Sequence, residues 1–255
     1  MMRQQNGFTL VELAIVVLVM GLLLGGLAMP LSVQLENKRI SETRETLAVA
    51  ENALQGFAQV NGHLPCPATP ASDGLALVAG GGCSVQHGFL PASTLGMDGL
   101  RNADNLLLDA WSSPIRYSVS DADVDTDGNW DFTAPGEMRD VTMQNLAPDL
   151  SVCSTATGSS PAACADPQST LSAQAPLVIY SLGKDWASAT SPDQLENLGG
   201  ALGGGPSGSN YPVAADLVFV SRRKSEQPGN EFDDVVSWTS ALSLYHLLLQ
   251  AGRLP

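Results

Sequence analysis

The sequence predicts an α+β protein: a long amino-terminal helix, its first half apolar enough for lipid and its second half amphipathic, packed on a small antiparallel β-sheet head with long loops. Three observations predict it. From Phe8 to Met29 a single ionisable side chain, Glu12, interrupts an apolar run, and a helix over that run spans a hydrocarbon core of about 30 Å. Behind Pro30, apolar positions recur at alternating steps of three and four. Farther on, short runs with strand character are separated by stretches rich in Gly, Pro, Ser and Asp.

The first element starts oddly. A secretory signal places its small-residue cut site after a short apolar core, whereas here the small polar step Asn6-Gly7 precedes a run long enough to be a membrane helix. Positive charge ahead of the run is limited to Arg3 and the amino terminus, and Lys38, Arg39 and Arg44 follow it, so the lysine and arginine bias gives little orientation. A carboxylate inside a bilayer costs roughly 2–3.5 kcal/mol at a helix centre and less near an end, so Glu12 needs a partner. Phe8 lies about one helical turn away, where a free amine would sit at the level of the carboxylate.

The stretch Gly7-Phe8-Thr9-Leu10-Val11-Glu12-Leu13, followed by the apolar run and Pro30, resembles the amino terminus of type IV pilin-like proteins, which include pilus subunits and the pseudopilins of type II secretion. The resemblance implies a class III leader over residues 1–7, cleavage by a prepilin peptidase between Gly7 and Phe8, and methylation of the new amino terminus at Phe8. It further implies that residues 8–30 are both membrane anchor and assembly surface, with Glu12 meeting the amine of a neighbouring subunit. The implied partners are other pilin-like subunits, prepilin peptidase, an inner-membrane assembly platform and membrane lipid. The implied location is the bacterial inner membrane as a single pass with the head in the periplasm, and then a filament.

Residues 31–61 continue the helix with a change of character. Ile40, Thr43, Leu47, Ala50, Leu54 and Phe57 form one stripe, while Glu36, Lys38, Arg39, Glu42, Arg44 and Glu45 mostly fall opposite, and Asn61-Gly62 ends it. Residues 62–255 are the expected head.

From 62 to 100 the head reads as loop. Four cysteines form two local pairs, Cys66 with Cys83 and Cys153 with Cys164, which in an oxidising compartment would be disulfides. The spacing of His63, Cys66, Cys83 and His87 is not that of a zinc module, which uses close cysteine pairs. Strand character begins after the turn Asp109-Ala110-Trp111-Ser112-Ser113-Pro114, where Ile115 to Val119 alternate. That turn is similar to a stretch of pseudopilins that has proline in place of Ala110 and glycine in place of Ser112. Further strands are expected at Leu177–Ser181 and Asp216–Val220, and a helix over Thr239–Ala251, leucine-rich on more than one face and so buried, with Gly252 as its cap.

Two acidic groups suggest calcium, the one cofactor in view. Read from Asp123, the stretch has oxygen ligands at Asp123, Asp125 and Asp127, Gly128 at the sharp turn and Asp131 at the ninth position of a calcium loop. Ala134 occupies the twelfth position, where a bidentate Glu belongs, and Glu137 comes three residues later. The other group follows from the resemblance: in major pseudopilins a loop like Ser181-Leu182-Gly183-Lys184-Asp185 and a paired-aspartate stretch like Asp233-Asp234 together hold calcium. Here residues 186–230 separate the two halves.

Charge narrows the function. With 26 acidic against 12 basic residues and a net charge of −14, the chain lacks the basic face that nucleic acid requires. With three histidines and no nucleophile elbow, it offers no catalytic constellation and is read as a non-enzyme. The expected function is a structural subunit of a type IV pilus-like filament or type II secretion pseudopilus, minor or specialised given its long head. The alternative is a membrane-anchored periplasmic binding or adhesion module.

Overall fold

Residues 9–79, 81–185, 188–198 and 216–254 are described by a computed structural model, the side chains of residues 23–31 and 79 excepted. Contacts divide the chain into two units, Met1–Ser41 and Glu42–Pro255. Helix α1 runs from Leu10 to Asn61 and so contributes to both. Among the described residues no helix is long and apolar enough to cross a membrane. The side chains of residues 23–31, which carry the second part of the expected span, lie outside that description.

In the first unit Leu10, Val11, Leu13, Ile15, Val16, Val17, Leu18, Val19, Met20 and Leu22 are all exposed. The apolar surface runs round the helix, as expected of a segment whose solvent or partner is not water.

In the second unit the last five turns of α1 bury Thr43, Leu47, Ala50, Leu54 and Ala58, the expected stripe except at its end. Ala58 takes the buried place expected of Phe57, which is half-buried and meets His63 edge-on at 5.7 Å between ring centres. After Asn61 the chain turns through Gly62 at φ +81°. Such a left-handed residue ends helices because it lets freed carbonyls find donors. Arg253 supplies them, its Nε donating to the Gln59 carbonyl at 3.0 Å and its Nη2 to that of Val60.

The stretch from 62 to 100 holds more than loop. It contains a 3-10 turn at Pro70–Ser72, a minimal hairpin of β1 (Val78–Ala79) and β2 (Gly82–Cys83), and β3 (His87–Phe89). The sheet therefore begins one strand earlier than the alternation after Pro114 suggested, because a three-residue strand carries too little pattern to be read.

The main sheet has the order β3-β4-β7-β9, antiparallel throughout, with β4 at Arg116–Val119, β7 at Leu177–Ser181 and β9 at Val235–Thr239. All five residues of β7 are buried, because this inner strand is covered on both faces. One face meets α1: Ser237 Oγ and Thr239 Oγ1 donate to the two carboxylate oxygens of Glu51 at 2.9 and 3.1 Å. From the other face Val178 and Tyr180 enter a cluster with Leu150, Val152, Ala175 and Phe219.

That cluster belongs to a second sheet, order β6-β5-β8, which the sequence reading did not foresee beyond one strand. It comprises β5 (Leu150–Cys153), β6 (Thr170–Ala175) and β8 (Val218–Val220), with β5 and β8 parallel. Two short helices, α2 (Glu137–Asp140) and α3 (Pro192–Asn197), complete the middle of the head. The head is thus helix, sheet, sheet in layers. The carboxy-terminal helix α4 spans Ala241–Gln250 behind Ser240, whose side chain accepts from Ser243 N. It buries Leu244, Tyr245 and Leu248 only, while Leu242 is 80 % exposed and Leu249 40 %, so it has one buried face rather than several.

Candidate functional site

Gly7 and Phe8, the expected cleavage pair, lie outside the described residues, but the start of α1 is described. Thr9 N and Thr9 Oγ1 both donate to Glu12 Oε2 at 2.9 Å, and Glu12 N donates to Thr9 Oγ1 at 3.2 Å. This is a reciprocal capping box, in which the side chains three residues apart satisfy backbone donors that the first turn leaves without partners. The sequence reading gives Glu12 a partner amine for assembly and no capping role. The signal was present as Thr-x-x-Glu ahead of an apolar run. The helix amino terminus is also the end where a negative charge is stabilised.

The acidic loop follows β4. Asp123 Oδ1 accepts from Asp127 N at 3.1 Å and Oδ2 from Gly128 N at 2.9 Å, and Asp127 Oδ1 accepts from Asn129 N at 2.8 Å. The turn is closed by Thr126 at φ +58° and Gly128 at φ +94°. Carboxylate oxygens of Asp123, Asp125 and Asp131 lie within 4.8 Å of one another, and so do those of Asp125, Asp127 and Glu137. The late glutamate is therefore brought in, because Gly136 at φ +98° starts α2 and returns the chain towards the loop.

Asp131 is fully buried, with Val124 N donating to both its oxygens at 3.4 Å. Burial, and then the charges of Asp125, Asp123 and Asp127, push its carboxyl up to about 6 against the pull of the Val124 amide. Burial, and then the charges of Asp127, Asp125, Asp140 and Asp131, also raise Glu137. Two overlapping carboxylate triads sharing Asp125 fit a hard cation, whose charge would reverse this repulsion.

The two halves of the other acidic group do meet despite residues 186–230 between them. Lys184 N donates to Asp233 Oδ2 at 2.9 Å, and Gln194 Nε2 bridges Asp185 Oδ1 at 2.7 Å and Asp233 Oδ1 at 3.0 Å. Gly183, at φ +64°, allows the approach: a Cβ there would stand 2.4 Å from the Asp233 carboxylate. Burial and the Asp185 contact push Asp233 up to about 7, and burial raises Asp234, whose Oδ2 accepts from Asn197 Nδ2 at 2.7 Å. Gln194 and Asn197 come from α3, inside the intervening segment, and an amide donor here occupies oxygens that a cation would need.

The turn before β4 is also tied to this region. Asp109 Oδ1 accepts from Trp111 N and Ser113 N at 2.8 and 2.9 Å, and Oδ2 from Ser181 Oγ at 2.5 Å. Ser112 has φ +65°, in the left-handed region that favours glycine.

Disulfides join Cys66 to Cys83 and Cys153 to Cys164. The first removes the thiolates from the zinc alternative, and His87 Nδ1 is placed 2.9 Å from Ser118 Oγ in the interior instead.

No characterised protein and no solved structure matches the chain. Residues 2–28 match the prokaryotic N-terminal methylation motif. That stretch contains the expected cleavage pair Gly7-Phe8 and Glu12, and the match supports a type IV pilin-like amino-terminal segment.

Proposed function

We propose that the protein is a minor or specialised structural subunit of a type IV pilus-like filament or a type II secretion pseudopilus. In this reading it is anchored by residues 8–30 in the inner membrane with the head in the periplasm, is cut between Gly7 and Phe8 and methylated at Phe8, and enters a filament through its amino-terminal helix. What supports the reading most is the methylation motif at residues 2–28, set directly on a helix whose first turns expose apolar side chains all round. An exposed surface of that kind has to be covered by lipid or by like helices. Calcium held by Asp123, Asp125, Asp127, Asp131 and Glu137 belongs to the proposal as a stabiliser of the head, with no chemistry of its own.

The test is the mature protein recovered from sheared filaments. Mass spectrometry is expected to find an amino terminus at methylated Phe8, and Gly7→Val is expected to leave the full-length precursor in the membrane. A protein that keeps Met1 and never sediments with filaments would refute the reading.

A further inference from the structure

His87 stands where the two sheets of the head meet. In β3 it lies opposite Ser118 of β4, and Ser118 lies opposite Val178 of β7. That row is on the face of the first sheet whose Val178 and Tyr180 pack with Leu150, Val152 and Phe219 of the second. The imidazole is 4 % exposed, with Nδ1 2.9 Å from Ser118 Oγ. Its ring centre is 6.2 Å from that of Phe219 in β8, which lies 5.3 Å from that of Tyr180. One ionisable ring thus joins an edge strand of the first sheet to the second sheet.

Such a ring packs well only while it is neutral. Removal from water disfavours the charged form, and a second ring proton would add a donor to a seam built of apolar side chains. Around it, β4 contributes Arg116 on the same face, set over the Phe89 ring at 5.1 Å, and β7 contributes the Tyr180 hydroxyl. The chain after β4 contributes Asp121, held by Gln86 Nε2 at 2.9 Å, and Asp149 stands just ahead of β5. Burial pushes the His87 imidazole down to about 4, and the opposing pull of the Asp149 carboxylate is the smaller effect.

We infer that His87 is an acid-operated latch between the two sheets, closed while its imidazole is neutral and loosened when it takes up a proton. An unfolded histidine binds its proton near 6.5, and the folded one does so only near 4. Between those values the unfolded state holds more protons, so the folding equilibrium constant falls by up to about tenfold for each pH unit lost. Above that window the latch makes no pH-dependent difference. Asp131 and Asp233, raised by burial, change stability in the opposite sense, losing their contribution as pH rises.

The experiment is urea unfolding of the full chain in detergent at about pH 7.5, 6 and 5, beside His87→Gln, which keeps a polar side chain and removes the titrating ring. The carboxyls titrate in both proteins, so the difference between them isolates His87. The urea midpoint is expected to fall further with acid in the wild type than in His87→Gln. Hydrogen exchange of β5 and β8 amides, corrected for its intrinsic pH dependence, is expected to speed up with acid in the wild type and to stay level in the variant. In the same pH series, NMR of isotope-labelled histidine rings, assigned with His63→Gln and His246→Gln, reads the His87 titration directly and keeps the test decisive should His87→Gln fail to fold. A folded-state His87 that titrates at about 6 or above, or equal midpoint losses in the two proteins, would overturn the latch.

Discussion

Glu12 has two duties at the residue scale, and they separate by mutation. Its carboxylate caps α1 through Thr9, and in the proposed filament it meets an incoming amine. Thr9→Ala removes the hydroxyl half of the capping box and keeps the charge, with an expected loss of about 1 kcal/mol from the first turn. Glu12→Ala removes both. The expected outcome is that both variants insert into the membrane, that Thr9→Ala still yields sedimentable filaments, and that Glu12→Ala yields none. Equal filament loss in both would assign the whole effect to the cap. Ser112 gives a second residue-scale prediction. A non-glycine residue at φ +65° carries about 1–2 kcal/mol of strain, while glycine costs about 0.5–1 kcal/mol more in the unfolded chain. Ser112→Gly is therefore expected to stabilise the head by up to about 1 kcal/mol, read as a higher urea midpoint with an unchanged slope.

Elements in this protein are defined by what covers them. The leucines of α4 suggested burial on several faces, but its contacts are made by Leu244, Tyr245 and Leu248, with Tyr245 Oη donating to the Leu146 carbonyl at 3.3 Å. Leu248→Ala is expected to cost about 2–5 kcal/mol in denaturant unfolding, and Leu242→Ser to change stability by less than about 0.5 kcal/mol. A large loss at Leu242 would show that another surface covers that face in solution. The buried stripe of α1 was legible in the sequence because its period of 3.6 runs for several turns. The strands β1, β2 and β3, of two or three residues each, were not, since alternation needs more positions than they have.

For the whole molecule, the head combines two packed sheets, a helix and two disulfides with many acidic side chains gathered in its loops. The disulfides close segments with separations of 17 and 11 residues, each contributing about 2–3 kcal/mol on a loop-entropy account. Calcium at the 123–137 loop would add to that by binding the folded state alone. Added calcium is expected to raise the melting temperature of the head, and Asp125→Ala to reduce the rise. The same melting temperature with calcium and with chelator, in both proteins, would remove the loop as a calcium site.

The sequence by itself determined the amino-terminal motif, the course of α1, the inner strand β7 and the closeness of the cysteines along the chain. Each is a short-range pattern in which periodicity or adjacency carries the information. Tertiary structure alone decided that Glu137 joins Asp125 and Asp127, that Gln194 and Asn197 from α3 occupy Asp185, Asp233 and Asp234, and that Gln86 reaches Asp121. These groupings depend on which strands pair and which loops fold back, and a chain's polar side chains do not announce partners that lie dozens of residues away.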